Sequence, residues 1–422
     1  MKSRFTPLLA VIILASAACT GSSDVALARA NVPRASADPS VATDAAGAIN
    51  TFGLDLYGRL ATGDGNVVVS PASIALALGM ARAGAVGPTA TEMDTVLHDL
   101  ATNEHAAWLN ALDTALASRT GTFDDGNGTP QPVTLRIANA RFAQRGMKLV
   151  DTYLAALASR YGAGLRLVDY RADPEGARKT INGWVSEGTE QRIPELLVPG
   201  SITADVRLAL VNAIYLKAAW LTPFTPEATL PGPFTRLDGT TVEVPMMHTS
   251  QTLGYSSAEG WQAVELPYVG GSLAMTIIVP DDLTAFERGL TPDRLAEITA
   301  PAEQRPVDLH LPRFAIESKV DLAGTLAAMG MPTAFAPDLA DFSGMTTEER
   351  LFISAVIHQA NIDVDEKGTT AAAATAIPMR ATAVPGEPVA LTVDHPFLFA
   401  LRDVPTGTVL FLGRVTDPAL KD

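Results

Sequence analysis

The sequence has very few of the residues that carry cross-links, nucleic-acid binding or membrane spans. Cys19 is the only cysteine in 422 residues, so neither an intrachain disulfide nor a multi-cysteine metal site can form. The formal net charge is −15 and no basic run occurs, which excludes a nucleic-acid-binding surface because such surfaces need clustered Lys and Arg. The hydrophobic content of 47% and charged content of 18% indicate a globular protein with an ample core.

The apolar run at the N-terminus is too short to cross a bilayer. It extends from Pro7 to Ala18 after Lys2 and Arg4, whereas a membrane-spanning helix needs about 20 apolar residues. A basic start, a short apolar centre and a small-residue end are typical of an export signal, predicted here as residues 1–18. Cys19 follows where bacterial lipoproteins carry their lipid-modified cysteine. We therefore expect an exported bacterial chain that is periplasmic, outer-membrane-anchored or extracellular, with lipidation at Cys19 favoured over plain secretion.

Residues 19–44 are rich in Ser, Ala, Asp and Pro and lack apolar periodicity, which predicts a flexible tether. From residue 45 onward helical patterns come first and strand patterns dominate later, without regular alternation of the two. This order predicts an α+β fold. Length alone favours two or three domains. Among the strand patterns, residues 307–318 read as one continuous strand.

No residue arrangement typical of an enzyme occurs. The His-Glu-x-x-His, Gly-x-Ser-x-Gly and phosphate-loop motifs are all absent. His98 and His105 could share a helix face, but no third ligand lies near them in the sequence, so we expect no metal and no other cofactor. Ser70 precedes Pro71 and is better explained as a helix N-cap than as a nucleophile. The chain is therefore predicted not to be an enzyme.

One segment near the C-terminus is unusual: DVDEKGTTAAAATAIPMRATAVPGEP, residues 363–388. Strand patterns lie on both sides of it. The connection from Gly368 to Leu391 is about 24 residues long, and loops beyond about 12–15 residues are usually functional. Its small, uncharged residues are also compatible with a linker or a helical turn. The segment thus needs a further reason for its composition.

The stretch VDEKGTTAAAATA resembles the hinge of the serpins, the large family of serine-protease inhibitors. Six further segments resemble serpin segments in serpin order: NVVVSPASIALALGMARAGA, LVNAIYLKAAWLTPF, LPRFAIES, ADFSGM, HPFLFALRD and VLFLGRVTDP. The resemblance covers about residues 45–418. It implies one domain, residues 45–422, with three β-sheets, about nine helices and an exposed reactive-centre loop at about residues 366–390. It further implies a monomer whose partner is a target serine protease.

In serpins the part of the loop before the cleavage site inserts into the largest sheet as a new strand. The hinge residues implied here are Glu366, Gly368, Thr369, Thr370, Ala371, Ala372, Ala373, Ala374 and Thr375. From Gly368 onward all are small or β-branched and none is charged, so both faces of an inserted strand could be buried without a desolvated charge. This composition favours an inhibitor that traps its protease over a non-inhibitory binding or chaperone-like protein of the same fold.

The resemblance also assigns residues outside the hinge. Ser70, Ser73, Asn212 and His358 match the polar cluster beneath the opening sheet, and Trp220 matches the aromatic residue where insertion begins. Arg313 is expected to pair with Glu366. The scissile bond is predicted as Thr382–Ala383, which suits an elastase-like or subtilisin-like protease. The alternative is Arg380–Ala381, which suits a trypsin-like one.

Overall fold

The computed structural model describes residues 25–98, 105–369 and 387–420. In these ranges there are nine α-helices: α1 Ala42–Leu60, α2 Pro71–Arg82, α3 Gly87–Val96, α4 His105–Ala117, α5 Asp151–Tyr161, α6 Pro174–Gly188, α7 Leu283–Arg288, α8 Pro292–Ile298 and α9 Ala323–Met329. Three short 3-10 helices span Pro39–Val41, Pro226–Ala228 and Pro332–Phe335.

The described strands are β1 Leu27–Ala28, β2 Val67–Val69, β3 Gly121–Asp124, β4 Pro130–Gln144, β5 Leu165–Val168, β6 Leu208–Ala219, β7 Leu230–Thr235, β8 Thr241–Ala258, β9 Trp261–Pro267, β10 Leu273–Pro280, β11 Glu303–Pro312, β12 Phe314–Asp321, β13 Val356–Asp365, β14 Gly368–Thr369, β15 Val389–Thr392, β16 Phe397–Asp403 and β17 Thr408–Val415. They form two hydrogen-bonded networks. The first has eight strands in the order β1-β5-β4-β6-β14-β13-β12, with β3 on β4.

The second network has nine strands in the order β15-β11-β8-β9-β10-β16-β17-β2, with β7 on β8. The long strand β8 joins its two halves, because β11 lies along one edge of β8 while β7 and β9 occupy successive stretches of the other edge. The second and third sheets of the predicted fold therefore share one strand. The mixed helix and sheet architecture confirms the predicted α+β class.

The centre of the first sheet is covered on both faces. Leu210, Ile214 and Leu216 of β6 belong to the main core, which also contains apolar residues of α2. Val211 and Ala213 face the other way and pack in a second cluster with apolar residues of α6. Strand β6 is therefore almost uniformly apolar instead of alternating, as expected for a strand buried on both faces.

Helix α2 begins as the sequence predicts. The Ser70 side chain accepts a hydrogen bond from the backbone N–H of Ser73 at 3.4 Å, and Pro71 occupies the first turn. Such an N-cap satisfies a backbone donor that the helix itself leaves unpaired. Residues 71–81 of α2 are buried. The helix thus fixes Ser70 and Ser73 directly beneath the first sheet.

The described part of the segment predicted as a flexible tether, residues 25–44, contacts the rest of the fold. Leu27 and Ala28 pair with β5 at the edge of the first sheet. Arg34 donates to Asp113 and to the side chain of Asn110, each at 2.7 Å. Helix α1 begins at Ala42, before the predicted start at residue 45. Backbone pairing and an ion pair thus connect this segment to β5 and α4 although it lacks apolar periodicity. The flexible tether stays a prediction.

Two other predictions concern the membrane and residues 307–318. Within the described residues, no helix combines the length and apolar character needed to cross a bilayer. The single predicted strand over 307–318 is two strands, β11 and β12, which end and begin on either side of Arg313 and belong to different sheets.

Candidate functional site

The first sheet is partly open between its central strands β6 and β13. These strands are parallel and pair only over a short stretch, from Leu210 with Val356 to Ile214 with Ala360. At the C-terminal ends of β6 and β13, β14 lies between them and is antiparallel to both. Between the two paired stretches lies a cavity of about 380 Å³ lined by residues of β6, β12, β13 and the segment 189–193. The sheet therefore has a gap with a short strand at its entrance.

Backbone hydrogen bonds anchor the turn that leads into β14. Trp220 donates from its backbone N–H to the carbonyl of Lys367 and from its indole N–H to the carbonyl of Asp365, both at 2.9 Å. Phe224 donates its backbone N–H to the carbonyl of Glu366, also at 2.9 Å. Three consecutive carbonyls are thus held by the chain that follows β6.

Aromatic packing completes the entrance. The Trp220 ring stacks on Tyr268, with centroids 4.4 Å apart. The Tyr268 hydroxyl is hydrogen-bonded to the hydroxyl of Thr369 at 2.5 Å, and both side chains are buried. Burial raises the pKa of Tyr268, so the phenol stays protonated at neutral pH. Thr369 therefore has a specific polar partner in the buried hydroxyl of Tyr268.

Gly368 is required by the close approach of β14 to β6. Its φ of +151° is rarely adopted by residues with side chains. A Cβ atom added there would lie 2.1 Å from the carbonyl oxygen of Ala218. Any other residue would therefore force β14 away from β6.

Glu366 precedes this strand and is held by a cation. Its side chain is only 6% exposed, whereas that of Arg313 is 44% exposed. Arg313 donates to one Glu366 carboxylate oxygen from Nε at 2.7 Å and also from Nη2, and the Thr229 hydroxyl donates to the same oxygen. Burial alone would raise the pKa of Glu366, but the hydrogen bonds from Arg313 and Thr229 outweigh it and hold the pKa below its usual value.

Beneath the short paired stretch lies a buried polar network. His358 and Asn212 are direct cross-strand neighbours, and His358 Nδ1 lies 2.5 Å from Asn212 Oδ1. The Asn212 amide nitrogen donates to Ser73 Oγ and to Asn139 Oδ1, both at 2.5 Å. Asn139 on β4 also donates to the Ser73 carbonyl at 3.0 Å. The network thus joins β4, β6 and β13 to α2.

The hydrogen bonds define the protonation state of His358. The backbone N–H of Ser70 can only donate, and it lies 3.2 Å from His358 Nε2, so Nε2 accepts and Nδ1 carries the proton that is donated to Asn212. The side chain is 0% exposed. Burial lowers the pKa of His358 to about 3, so the imidazole is neutral at physiological pH.

The structure brings together many of the residues singled out from the sequence. Ser70, Ser73, Asn212 and His358 share one network, and Trp220, Arg313, Glu366, Gly368 and Thr369 surround the entrance. The predicted site residues Cys19, Thr370, Ala371, Ala372, Ala373, Ala374, Thr375, Arg380, Ala381, Thr382 and Ala383 lie outside the described residues.

Three contributors were missed by the sequence analysis: Asn139, Thr229 and Tyr268. Asn139 had a usable signal, since it is a polar residue inside an apolar strand pattern. Its partner could still be identified only from the register of β4 with β6, in which Asn139 lies opposite Asn212. Thr229 and Tyr268 are in connecting segments, where no periodicity marks them.

Comparison with known proteins gives one consistent family. The family model described as serpin (serine protease inhibitor) matches residues 47–418. The leukocyte elastase inhibitor of Bos taurus is 39% identical over 388 residues, which is 88% of this chain and 99% of that protein. An uncharacterized serpin-like protein of Thermococcus kodakarensis is 38% identical over 375 residues, covering 88% of this chain and 85% of that one. The crystal structure of tengpin, a thermophilic serpin in the native state, superimposes with a TM-score of 0.79 at 25% identity, covering 92% of this chain and 97% of that one.

Proposed function

The chain belongs to the serpin (serine protease inhibitor) family and is not an enzyme, and we propose that it traps a serine-type endopeptidase after cleavage of its own loop. The observation that carries the proposal is the gap between β6 and β13 with β14 already at its entrance. A strand that entered this gap would be antiparallel to both neighbours and would complete their hydrogen bonding. The loop that follows β14 is the segment able to supply such a strand.

The register of β14 defines how this strand would continue. Thr369 pairs with Val364 on β13 and with Ala218 on β6. Each further loop residue would pair one position earlier on both neighbours. One strand can satisfy both registers. Ala218 and Val364 are separated in sequence by the same number of residues as the partners in the parallel pairing of β6 with β13.

Six residues beyond Thr369, the continued register brings Thr375 between His358 and Asn212. Insertion would therefore separate these two side chains and replace their direct hydrogen bond with contacts to a threonine hydroxyl. Neutral imidazole, amide and hydroxyl groups can exchange partners in this way without exposing a charge to the core. The polar network is thus suited to a sheet that opens and closes again.

The composition of the loop supports insertion energetically. On the face of the inserted strand that points toward the core, the side chains would be Ala371, Ala373, Thr375 and Ile377. The opposite face would carry Thr370, Ala372, Ala374 and Ala376, and neither face has a charge. About a dozen inserted residues could form on the order of ten ladder hydrogen bonds at roughly 1 kcal/mol net each. That total is comparable with the stability of a whole domain.

The proposed reaction begins as ordinary proteolysis. The protease serine attacks the carbonyl carbon of Thr382, the Thr382–Ala383 peptide bond breaks, and Ala383 leaves as a new amino terminus. The protease remains esterified to Thr382. Insertion of the freed arm then carries it by roughly 50 Å if about 15 residues extend at 3.3 Å each. Displacement of its catalytic groups would stop water from releasing the ester.

Small residues at the scissile bond suit a shallow elastase-like or subtilisin-like specificity pocket. Similarity to a protein named leukocyte elastase inhibitor supports that choice. Cleavage at Arg380–Ala381 by a trypsin-like protease is the alternative. It would shorten the inserting arm by two residues and favour hydrolysis of the ester over trapping.

The decisive test is incubation of the chain with elastase, subtilisin and trypsin, followed by denaturing gel electrophoresis. We expect an SDS-stable complex with at least one of them. We also expect release of a C-terminal peptide whose mass shows that it begins at Ala383. A protease whose active serine has been blocked is the control and should give no complex. Loop cleavage by all three without any adduct would favour the non-inhibitory, binding or chaperone-like, function. A released peptide beginning at Ala381 would move the scissile bond to Arg380.

We further propose that the chain is a bacterial protein that is exported as a monomer and anchored through lipidated Cys19. The support is the sequence of residues 1–19, a basic start and short apolar run that end at the only cysteine. In a bacterial host, the wild type should fractionate with membranes and a Cys19→Ser variant should not. Equal amounts of the two in the soluble exported fraction would leave plain secretion as the correct description.

A further inference from the structure

A cluster of metal-ligating side chains lies on the second sheet, away from the hinge. His248 on β8 and His310 on β11 are direct cross-strand neighbours. Asp308 lies two residues before His310 and therefore projects from the same face of β11. One ligand atom from each of the three residues can be chosen so that all lie within 4.8 Å of one another. Strand register alone thus gathers three ligands from segments about 60 residues apart.

The geometry of the cluster is close to that of a metal site. His248 Nε2 lies 2.8 Å from a carboxylate oxygen of Asp308. The two imidazole rings are stacked with centroids 4.4 Å apart and an interplanar angle of 22°. Ligand bonds of about 2.0–2.2 Å in a tetrahedral site separate neighbouring ligand atoms by a little over 3 Å. Small side-chain rotations would therefore bring the three ligand atoms around one ion.

The cluster is also open to solvent. The side chains of His248 and Asp308 are 36% and 37% exposed. His248 and His310 line a surface cavity of about 390 Å³, whose wall also includes Asp394 and Thr392 next to the end of β15. An ion can therefore enter, and water can complete its coordination. The ligands lie on the paired strands β8 and β11 and not in a loop.

We propose that His248, Asp308 and His310 form a binding site for a divalent transition-metal ion of the Zn²⁺ type. Two imidazoles and a carboxylate match the ligands that Zn²⁺ and neighbouring ions take, whereas Mg²⁺ and Ca²⁺ take oxygen ligands. The ion would replace the hydrogen bond between His248 and Asp308 with two metal bonds and add a third from His310. It would thus cross-link β8 to β11, the strand that holds β15. No metal was expected from the sequence, because His98 and His105 have no third ligand near them. His248 and His310 become neighbours only through the pairing of β8 with β11.

The site can be tested on the full chain without a polyhistidine tag. Zinc titration by calorimetry should show that the wild type binds one ion per chain. In His310→Asn, which removes one ligand but keeps the pair of His248 with Asp308, zinc binding should be lost or its affinity should fall at least about tenfold. Asp308→Asn should have a similar effect. Bound Co²⁺ should give the visible absorption bands of a four- or five-coordinate nitrogen and oxygen site. Zinc should raise the thermal midpoint of the wild type but not of His310→Asn.

His98→Asn is the matched control. His98 forms the same kind of pair with Asp55, at 2.8 Å, but no third ligand joins that pair among the described residues. This variant should bind zinc like the wild type. Absence of zinc binding by the wild type would overturn the proposal, and so would equal binding by wild type, His310→Asn and Asp308→Asn. These readouts need no protease, so they are independent of the proposed inhibitory function.

Discussion

At the scale of single residues, the buried Glu366 carboxylate depends on its hydrogen-bond partners. It is buried beside the entrance of the gap and depends on Arg313 and Thr229. We expect Arg313→Ala to lower the free energy of unfolding by about 1–3 kcal/mol, because the carboxylate stays buried while its cation is lost. Chemical denaturation of wild type and variant measures this loss.

The control for that prediction is the same substitution in a chain with Glu366→Gln. A neutral amide needs no cation, and its oxygen can still accept a hydrogen bond from the Thr229 hydroxyl. Arg313→Ala should therefore lower the free energy of unfolding much less in this background. The difference between the two costs is the coupling energy of the pair. Equal costs in both backgrounds would show that Arg313 stabilises the chain through packing and not through Glu366.

His358 provides a pH-dependent prediction. Burial lowers its pKa from 6.5 to about 3, so between these values the unfolded chain binds a proton that the native chain does not. The free energy of unfolding must therefore fall as the pH falls below about 6.5, by up to about 1.4 kcal/mol per pH unit from this residue. Unfolding measured at a series of pH values should show a shallower acid dependence in His358→Gln. The same slope in both chains would assign the acid sensitivity to other groups.

The sequence carries much of this residue-level information, but not all of it. Ser70, Ser73, Asn212 and His358 could be named because they lie in segments that resemble the family. Asn139 could not, because its role depends on lying opposite Asn212 in the register of two strands distant in sequence. The cluster of His248, Asp308 and His310 could not be predicted for the same reason, because His248 and His310 become neighbours only when β8 pairs with β11.

At the scale of secondary-structure elements, the entrance strand β14 depends on Gly368. We expect Gly368→Ala to displace residues 368–369 from β6, because its Cβ would lie 2.1 Å from the Ala218 carbonyl oxygen. Displacement would break the contact of Thr369 with Tyr268 and alter the fluorescence of Trp220, which stacks on that tyrosine. Delayed insertion should also increase the number of inhibitor molecules cleaved per protease trapped.

Gly407→Ala is the control. Gly407 also has a positive φ, +74°, but no atom lies within 4 Å of an added Cβ. It should leave both the fluorescence and the trapping ratio unchanged.

A charge in the inserting arm tests the proposed register. Thr375→Arg would place an arginine between His358 and Asn212, where no buried counter-ion is available among the described residues of the network. A buried unpaired charge costs several kcal/mol, so the arm should insert too slowly to trap the protease. Gel analysis should then show cleaved chain without adduct, while Thr375→Ser behaves like the wild type. Undiminished complex formation by Thr375→Arg would place that residue elsewhere.

Element boundaries show why sequence patterns fall short at this scale. Residues 307–312 and 314–318 both read as strand, and nothing in their alternation marks the change of sheet at Arg313. The change follows from tertiary pairing: β11 pairs with β8 and β15, whereas β12 pairs with β13. The contacts of residues 25–44 with β5 and α4 likewise depend on tertiary structure and not on periodicity within the segment.

At the scale of the whole molecule, the main feature is the gap between β6 and β13 in the first sheet of the described structure. Strands β6 and β13 pair directly over only five residues of each, 210–214 and 356–360. Insertion of the loop would exchange that short parallel pairing for two longer antiparallel ones. In the uncut chain the far end of the loop continues into β15 on the other sheet, and this attachment would oppose the exchange. The native form should therefore be held by the continuity of the chain and not by the stability of its sheet.

Cleavage of the loop should thus stabilise the whole molecule. About ten new ladder hydrogen bonds at roughly 1 kcal/mol each, in a chain of this size, correspond to a rise in thermal midpoint on the order of 10 °C or more. Calorimetry before and after limited proteolysis near Thr382 measures it directly, with Thr375→Arg as the variant in which cleavage should give no comparable rise. Cleaved wild type that melts at the temperature of the intact chain would show that the arm does not enter the sheet. The gap between β6 and β13 would then be a static feature of the fold, and trapping could not be driven by insertion.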